Sequence, residues 1–328
     1  MMNVCAVVLT YNRKDLLAEC LDAIQQQSVA CGSIIVLDNG SSDGTVDMLR
    51  SSGDRIEIHA LPSNIGAAGG FNAAMRAGYE SGADFIWVMD DDVIAAPDAL
   101  EKLLDARAML AGKAIHPPFL ISTARAPGGE ITNTPALDTR LNPLDYESWP
   151  DLLAHGLMPV RRATFVSILL PRETLREHGL PIPQFYIWGE DTEFTTRITR
   201  DRPGYMVGDS RVVHVRQMSG SLDIRTETNP RRIGYHFYAI RNNMWMVLQA
   251  GKRRAIVKLV KRRAVLALQL CREKQFYKAK MVAKGVLSAF FFKPVPDMVD
   301  RPNATGASRA ETLPSSISND PLGFSSAA

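Results

Sequence analysis

The sequence lacks several patterns that would assign the protein to a particular class. Its four cysteines show no CxxC or CxxH spacing, so we interpret them as ordinary buried thiols of a reducing compartment. The first residues do not show the basic and apolar order of a signal peptide. No uncharged run approaches the roughly 20 residues that a membrane-spanning helix needs. Together these absences predict a cytoplasmic protein.

Acidic residues are almost missing from residues 241–293, which contain 14 Lys and Arg but a single acid, Glu273. The whole chain has 38 basic and 35 acidic residues, so the remainder has 24 basic and 34 acidic ones. Aromatic residues lie between the cations of this basic block: Trp245, Phe276, Tyr277 and Phe290 to Phe292. The block predicts a polyanionic partner, and its aromatic residues favour an anionic membrane surface. Nucleic acid is the alternative, but the sequence has no known nucleic-acid-binding motif.

The apolar run Phe85 to Met89 ends abruptly in three carboxylates, Asp90, Asp91 and Asp92. The run predicts a buried strand. Since alternate residues of an extended chain point to the same side, Asp90 and Asp92 are placed to share one divalent cation. Mg²⁺ and Mn²⁺ prefer such oxygen ligands and bridge them to substrate phosphates. The alternative is that these acids only favour the dipole of the following helix.

Strand and helix patterns alternate through the first 110 residues. Buried strands are predicted at 4–10, 34–37, 56–60 and 84–89, with helical spacing between them. This order predicts an α/β fold with a mostly parallel central sheet and helices on both faces. Ligands of such sheets bind beyond the carboxyl ends of the strands, where the polar residues after each strand converge. Further strands are predicted at 118–124, 163–170 and 211–215, followed by basic helices from residue 231.

Five segments, taken in order, resemble the family 2 glycosyltransferases, which are inverting enzymes of the GT-A fold. They are Thr10-Tyr11-Asn12, Asp38 to Thr45, Asn64 to Asn72, Asp90-Asp91-Asp92 and Trp188-Gly189-Glu190-Asp191. Each is weak alone, but five at plausible spacing over roughly residues 3–250 form a strong signal. Within the family, the chain resembles bacterial galactofuranosyl- and rhamnosyltransferases that build cell-surface polysaccharides. Those enzymes carry an Asp triplet, a Trp followed by paired acids, and a later strand that ends in His.

The resemblance implies transfer of a sugar from a UDP- or dTDP-sugar donor to a hydroxyl of a glycan or lipid-linked glycan. It implies that Asp90 and Asp92 hold Mn²⁺ or Mg²⁺, with neutral His214 completing the coordination. A histidine on a strand is otherwise more often an ordinary buried residue. The acceptor also makes a position at the inner face of the plasma membrane sensible.

The acids after Trp188 supply the general base that such a reaction needs. Asp191 is our choice and Glu190 the alternative, because Gly189 leaves their alignment with the family uncertain by one place. Trp188 would pack its indole face on a sugar ring. The competing interpretation is that both acids favour the dipole of their helix and that Trp188 fills the core.

The donor-binding residues implied by the resemblance are Thr10, Asn12, Arg13, Asp38, Asn64, Asp91 and Trp188. Asp38 would accept the N3–H of a pyrimidine, although an Asp before Asn39-Gly40 can also merely stabilise a turn. Arg13 is the residue expected to meet a phosphate. Asp91 would touch the donor sugar or cap the following helix, and the sequence does not separate these two roles.

The predicted organisation is a GT-A catalytic domain over residues 1–230, basic amphipathic helices over 231–293 and a poorly ordered tail over 294–328. Within the catalytic domain, residues 1–110 form the nucleotide-sugar half and 111–230 the acceptor half. One rival is a nucleotidyltransferase, which would carry a glycine-rich loop where this chain has Thr10 to Arg13. A non-catalytic sugar-binding scaffold with the same fold is the other rival.

Overall fold

The computed structural model describes residues 2–52, 55–215 and 223–300. The strands are β1 Val4–Thr10, β2 Ser33–Asp38, β3 Ile56–Ala60, β4 Phe85–Asp90, β5 Val93–Ala95, β6 Leu120–Arg125, β7 Ala136–Leu137, β8 Leu157–Arg162, β9 Ile168–Pro171 and β10 Gly204–His214. The α-helices are α1 Lys14–Gln25, α2 Thr45–Ser51, α3 Gly66–Glu80, α4 Ala99–Gly112, α5 Arg172–His178, α6 Glu190–Ile198, α7 Pro230–Gln249, α8 Arg253–Arg272 and α9 Phe276–Phe291. Short 3₁₀ helices span Trp149–His155 and Pro183–Phe185.

The first four strands form the parallel half of the sheet, in the order β3-β2-β1-β4. Thr10 pairs with Asp38, and Leu9 pairs with Asp90. The carboxyl ends of β1, β2 and β4 therefore meet at one edge of the sheet, as the alternation of strands and helices predicts.

The second half of the sheet combines parallel and antiparallel pairs. It continues from β4 through β9, β6, β10 and β8 to β7, and β9 runs antiparallel to both β4 and β6. Strand β10 is parallel to β6 but antiparallel to β5 and β8. The sheet is therefore mixed, and the prediction of a mostly parallel sheet is correct only for the first half. Antiparallel pairing needs no crossover helix, and the chain between α4 and β10 contains only short helices.

The core lies on both faces of the sheet because neighbouring residues of each strand point in opposite directions. On β4, Trp87 packs with the residues of α1 and α4, while Ile86 packs with those of α3 and α6. The indole of Trp87 is fully buried and donates a hydrogen bond from Nε1 to Ser167 Oγ at 3.0 Å. The two-sided core holds the carboxyl end of β4 in a fixed position at the sheet edge.

The three C-terminal helices differ in how they pack. Helices α7 and α9 form a joint apolar cluster, whereas Leu270 is the one residue of α8 that is buried. Helix α7 also contacts the segment that precedes α6. Within the described ranges, none of the helices combines the length and the apolar character required to cross a bilayer.

Residues 294–300 do not behave as the poorly ordered tail that the sequence predicts. Asp297 accepts from buried Arg76 on α3 at 2.9 Å, and its carbonyl accepts from the amide of Leu180 at 2.8 Å. Val299 is buried against the same face of the sheet as α3. Asp297 supplies the acidic partner that the buried Arg76 guanidinium requires, and Val299 adds an apolar contact to this side of the sheet. The remainder of that predicted tail, 301–328, lies outside the described residues.

Candidate active site

Asp90, Asp92 and His214 come together at the edge where β4 and β10 end. One ligand atom from each residue lies within 4.8 Å of the other two. The short strand β5 explains this meeting, because it follows the acids directly and pairs Val93 with His214. The amide of Val215 also donates to the carbonyl of Asp92 at 2.8 Å. These three residues of the sequence prediction are therefore brought together.

Nε2 of His214 and Oδ1 of Asp92 face each other inside this group, and both are hydrogen-bond acceptors when the histidine is neutral and protonated on Nδ1. Nδ1 of His214 lies 2.8 Å from Oδ1 of Asn133, an acceptor, which places the proton of a neutral imidazole on Nδ1. The unprotonated Nε2 then lies 3.1 Å from Oδ1 of Asp92. That carboxylate oxygen is buried and makes no hydrogen bond to any of the described residues. A cation between Nε2 and Oδ1 would resolve the conflict, so the donor set fits a divalent metal.

Burial dominates the titration of the acids. It raises the pKa of Asp90 well above its ordinary value, and the charges of Asp92 and Asp91 add to the rise. Crowded acids of this kind favour a bound cation.

Of the two roles that the sequence left open for Asp91, the structure excludes the cap of the following helix, and contact with the donor sugar stays a prediction. Helix α4 begins only at Ala99, so Asp91 does not cap it. Its carboxylate is buried and accepts from Thr10 Oγ1 at 2.8 Å and from Arg13 Nη1 at 3.1 Å. Burial raises its pKa to about 6, against the opposing charge of Arg13. Asp91 thus fastens the turn after β1 to the end of β4.

Arg13 contacts two acids of the triplet. Its Nη1 lies 2.7 Å from Oδ2 of Asp92 as well as 3.1 Å from Oδ1 of Asp91. A third of its side chain remains exposed, at 33%. The guanidinium therefore balances the buried acids and still reaches the edge of the site.

Asp38 and Asn12 lie in the neighbouring turns after β2 and β1. Asp38 is 1% exposed, and its Oδ2 accepts from the amide of Ser41 at 3.0 Å. Its Oδ1 has no hydrogen-bond partner in the part of the chain that the structure describes. Asn12 joins the two turns, because its Oδ1 accepts from the amide of Ser42 at 2.7 Å. The turn interpretation of Asp38 accounts for one oxygen and leaves the other as an unused acceptor.

Asn64 shapes the start of α3. Its Oδ1 accepts from the amide of Gly66 at 2.8 Å, so this oxygen serves the turn. Gly66 has φ +82°, and a Cβ built on it would lie 2.3 Å from the carbonyl oxygen of Tyr186. The amide of Ala68 donates to that same oxygen at 3.0 Å. Only glycine permits this close approach, which joins α3 to the segment carrying the predicted base.

Glu190 and Asp191 form the first turn of α6, directly after Gly189. Glu190 is 7% exposed, and its buried Oε2 has no partner among the described residues. Burial raises its pKa to about 8, and the charge of Asp191 adds to the rise. Asp191 is half-buried, and its Oδ1 accepts from the amide of Thr192 at 2.5 Å. Burial raises the pKa of Asp191 as well.

Trp188 is neither fully exposed, as a residue that stacks on a sugar ring could be, nor fully buried, as a core residue would be. It is half-buried, and its ring centroid is 5.2 Å from that of His236 and 6.0 Å from that of Tyr235. The guanidinium of Arg232 lies 5.6 Å from the indole centroid. Helix α7 therefore packs against the indole, which does not enter the main core.

The sequence prediction missed the part that α7 plays here. Arg241 and Asn242 are buried and contact the carbonyls of the segment before α6. The sequence did contain an indication of this role. Arg241 lies four residues after Phe237 and three before Met244, which places it on the apolar face of the helix. A charged residue on such a face must find polar partners in the interior.

A parallel α/β half carries the acid triplet at the end of β4, and a mixed half supplies His214 and the acids of α6. Such a sheet, with acids and a histidine at its edge, is the architecture that the resemblance to the GT-A fold implies. Residues 5–108 match the family model described as Glycosyl transferase family 2. The chain therefore carries a family 2 glycosyltransferase domain, and it is a glycosyltransferase.

Two galactofuranosyltransferases named GlfT1 are similar in sequence. The protein from Mycolicibacterium smegmatis is 27% identical over 199 residues, which are 60% of this chain and 65% of that protein. The protein from Mycobacterium tuberculosis is 28% identical over 269 residues, which are 77% of this chain and 85% of that protein. Among solved structures, GalNAc-T7 with UDP, GalNAc and Mn²⁺ aligns with a TM-score of 0.52 at 14% identity, over 73% of this chain and 48% of that one. This last likeness shows a shared fold.

Proposed function

We propose that the chain is an inverting transferase that moves galactofuranose or rhamnose from a UDP- or dTDP-sugar to a sugar hydroxyl of a glycan or lipid-linked glycan. The observation that carries the proposal is the group of Asp90, Asp92 and His214, at the same sheet edge as the unused acceptor of Asp38. The similarity to two galactofuranosyltransferases supports the choice of sugar.

Asp90, Asp92 and His214 would hold Mn²⁺ or Mg²⁺. When bound, such an ion neutralises charge on the diphosphate that leaves with the nucleotide. Asn133 supports this role, because its contact with Nδ1 keeps Nε2 of His214 available as a ligand. Arg13 and Thr10 hold Asp91 aside, so only alternate acids of the triplet face the group.

Asp38 would select the nucleotide. Its unused, buried Oδ1 matches the N3–H donor that uracil and thymine share. A purine is larger than a pyrimidine and carries its ring N–H farther from the ribose, so GDP-sugars should bind poorly. Leaving such an acceptor unpaired costs about 1–3 kcal/mol, which is enough for useful discrimination.

Asp191 would remove the proton from the attacking hydroxyl. A base must come within hydrogen-bonding distance of that hydroxyl, and the half-buried Asp191 is more accessible than Glu190 at 7% exposure. The raised pKa of Asp191 improves its strength as a base near neutral pH. Glu190 remains the alternative base.

A donor panel tests this function. The protein, with Mn²⁺, should transfer sugar from UDP-galactofuranose or dTDP-rhamnose to an oligosaccharide acceptor and give no product with GDP-mannose. Proton NMR of the first product should show an inverted anomeric configuration. Retention of configuration, or release of a sugar phosphate in place of a nucleoside diphosphate, would contradict the proposal.

The basic helices would dock the enzyme at an anionic membrane, at the inner face of the plasma membrane where lipid-linked acceptors lie. Seven of the aromatic and aliphatic side chains on α8 and α9 are more than half exposed: Val257, Val265, Leu268, Phe276, Leu287, Phe290 and Phe291. Trp245 and Phe292 instead pack on Phe185, so two of the aromatic residues in the basic block serve the fold. Exposed cations are attracted to anionic headgroups, and exposed apolar side chains beside them can enter the boundary between headgroups and acyl chains.

A further inference from the structure

Asn242 on α7 is fully buried against the segment that leads into α6. Its Nδ2 donates to the carbonyl oxygens of Phe185 at 3.0 Å, Ile187 at 3.3 Å and Trp188 at 2.9 Å. A single amide group thereby fixes three carbonyls within four consecutive residues.

The neighbouring Arg241 determines which way this amide points. Its Nε and Nη2 donate to Oδ1 of Asn242 at 3.0 and 2.9 Å. Since a guanidinium only donates, the amide oxygen must face Arg241 and the nitrogen must face the segment. Nη2 of Arg241 also donates to the carbonyl of Gln184 at 2.6 Å. The two residues together hold residues 184–188 from one side.

The backbone of this segment needs such support. Tyr186 and Trp188 both have φ +63°, a left-handed conformation that residues with a Cβ rarely adopt. Gly189 follows with φ +105°. A segment with this backbone persists only where the surrounding contacts select it. It ends at Glu190, so its shape sets where the acids of α6 point.

We propose that Asn242 is a positioning residue, which holds the segment before α6 so that Asp191 and Glu190 face the acceptor. This inference rests on the proposed function, since it assigns Asn242 to the same site. Asn242 touches neither acid directly and acts through the carbonyls of residues 185–188.

Asn242→Asp is the sharpest test, because it keeps the shape and the contact with Arg241 but loses the N–H donors. Asn243→Asp is the matched control, since it makes the same charge change one residue away at an exposed position. Asn242→Ala is the second variant, in case the new carboxylate prevents folding. Each full-length protein is compared with wild type for kcat and donor KM, and for hydrogen–deuterium exchange of residues 185–191.

We expect both Asn242 variants to lower kcat by about 10- to 100-fold, with donor KM within about threefold of wild type. Exchange in residues 185–191 should become faster, while β1 and β4 keep their protection, and Asn243→Asp should match wild type in every readout. Unchanged exchange in that segment would overturn the inference whether or not the enzyme is active. An equal loss of donor affinity, kcat and global protection would also overturn it, because it would mark a general structural role. A wild type inactive on every donor, with the exchange result as expected, would refute only the proposed function.

Discussion

Nε2 of His214 lies 3.1 Å from Oδ1 of Asp92, although the two residues are far apart in the sequence. Strand β5 makes this contact possible, because it turns back from the acid triplet and pairs with the end of β10. A histidine that the sequence places on a distant strand thereby reaches the acids. The position of the histidine relative to Asn133 then decides which ring nitrogen faces them.

The first prediction concerns metal binding by this group. Asp92→Asn and His214→Ala should each weaken Mn²⁺ binding by at least about tenfold, because each removes one ligand atom. Titration calorimetry measures the affinity, and added Mn²⁺ should raise the Tm of the wild type by more than that of either variant. Asp105→Asn on the exposed side of α4 is the matched control and should bind Mn²⁺ as the wild type does. Full transferase activity in excess chelator would contradict the role of the metal.

The second prediction separates the two acids of α6. Asp191→Asn keeps the shape of the side chain but removes its basicity, so kcat should fall by about two to four orders of magnitude. Donor affinity should barely change, because the base faces the acceptor. Steady-state kinetics with donor and acceptor varied in turn measures both effects. If Glu190→Gln loses activity instead while Asp191→Asn retains it, Glu190 is the base.

The third prediction uses the raised pKa of Glu190, which burial brings to about 8 with help from Asp191. The folded chain binds this proton more tightly than the unfolded chain, whose glutamate has a pKa of about 4.3. The free energy of unfolding therefore falls as the pH rises through this window. Glu190→Gln removes the ionisable group, so the variant should be more stable than wild type above pH 8, by roughly 2–4 kcal/mol.

Urea unfolding from pH 5 to pH 9, in chelator to exclude metal effects, measures this difference. Glu80→Gln at the exposed end of α3 is the control and should follow the wild type at each pH. A Glu190→Gln variant that is no more stable than wild type at pH 9 would show that ionisation of the buried carboxylate does not lower the free energy of unfolding.

The parallel half of the fold was predictable from the sequence because each of its strands is a buried apolar run that ends in polar residues. The sequence also predicted that Asp90 and Asp92 share one side, although Asp92 lies in the turn after β4 and not in the strand itself. The antiparallel insertion of β9 between β4 and β6 could not be predicted, because its four residues carry no information about their partners. The strand order of the mixed half could therefore be learned only from the structure.

Contacts between side chains were the least predictable part of the site. Asn133 lies in an irregular region, and nothing in its neighbourhood indicates that it orients His214. Arg13 was expected at a phosphate, but two buried acids compete for it and hold it at 2.7 and 3.1 Å. Such partners depend on tertiary distance, which residue type and spacing do not encode. The roles of Asp191, Glu190 and Trp188 stay predictions that only kinetics can decide.

The fourth prediction is that α8 and α9 bind anionic membranes. Six exposed cations lie at the start of α8 or directly before it: Lys252, Arg253, Arg254, Lys258, Lys261 and Arg262. Each cation close to the lipid contributes about 1 kcal/mol at low salt, so neutralising all six to Gln should abolish most binding. Co-sedimentation with vesicles of graded anionic-lipid content measures this. Arg50→Gln/Lys113→Gln/Arg176→Gln is the control for lost positive charge, since these exposed cations lie outside the basic helices and should not matter.

Salt separates the electrostatic and apolar parts of the same interaction. The Debye length shortens from about 10 Å at 0.1 M to about 3 Å at 1 M, so binding by the cations should weaken steeply over this range. Phe290 and Phe291, which are 51% and 84% exposed, should retain part of the binding at high salt by entering the interface. Phe290→Ser/Phe291→Ser should remove that residual part and leave the low-salt attraction nearly intact. Equal binding of the wild type to neutral and anionic vesicles, or no binding to either, would mean that the basic face is only a solvated surface.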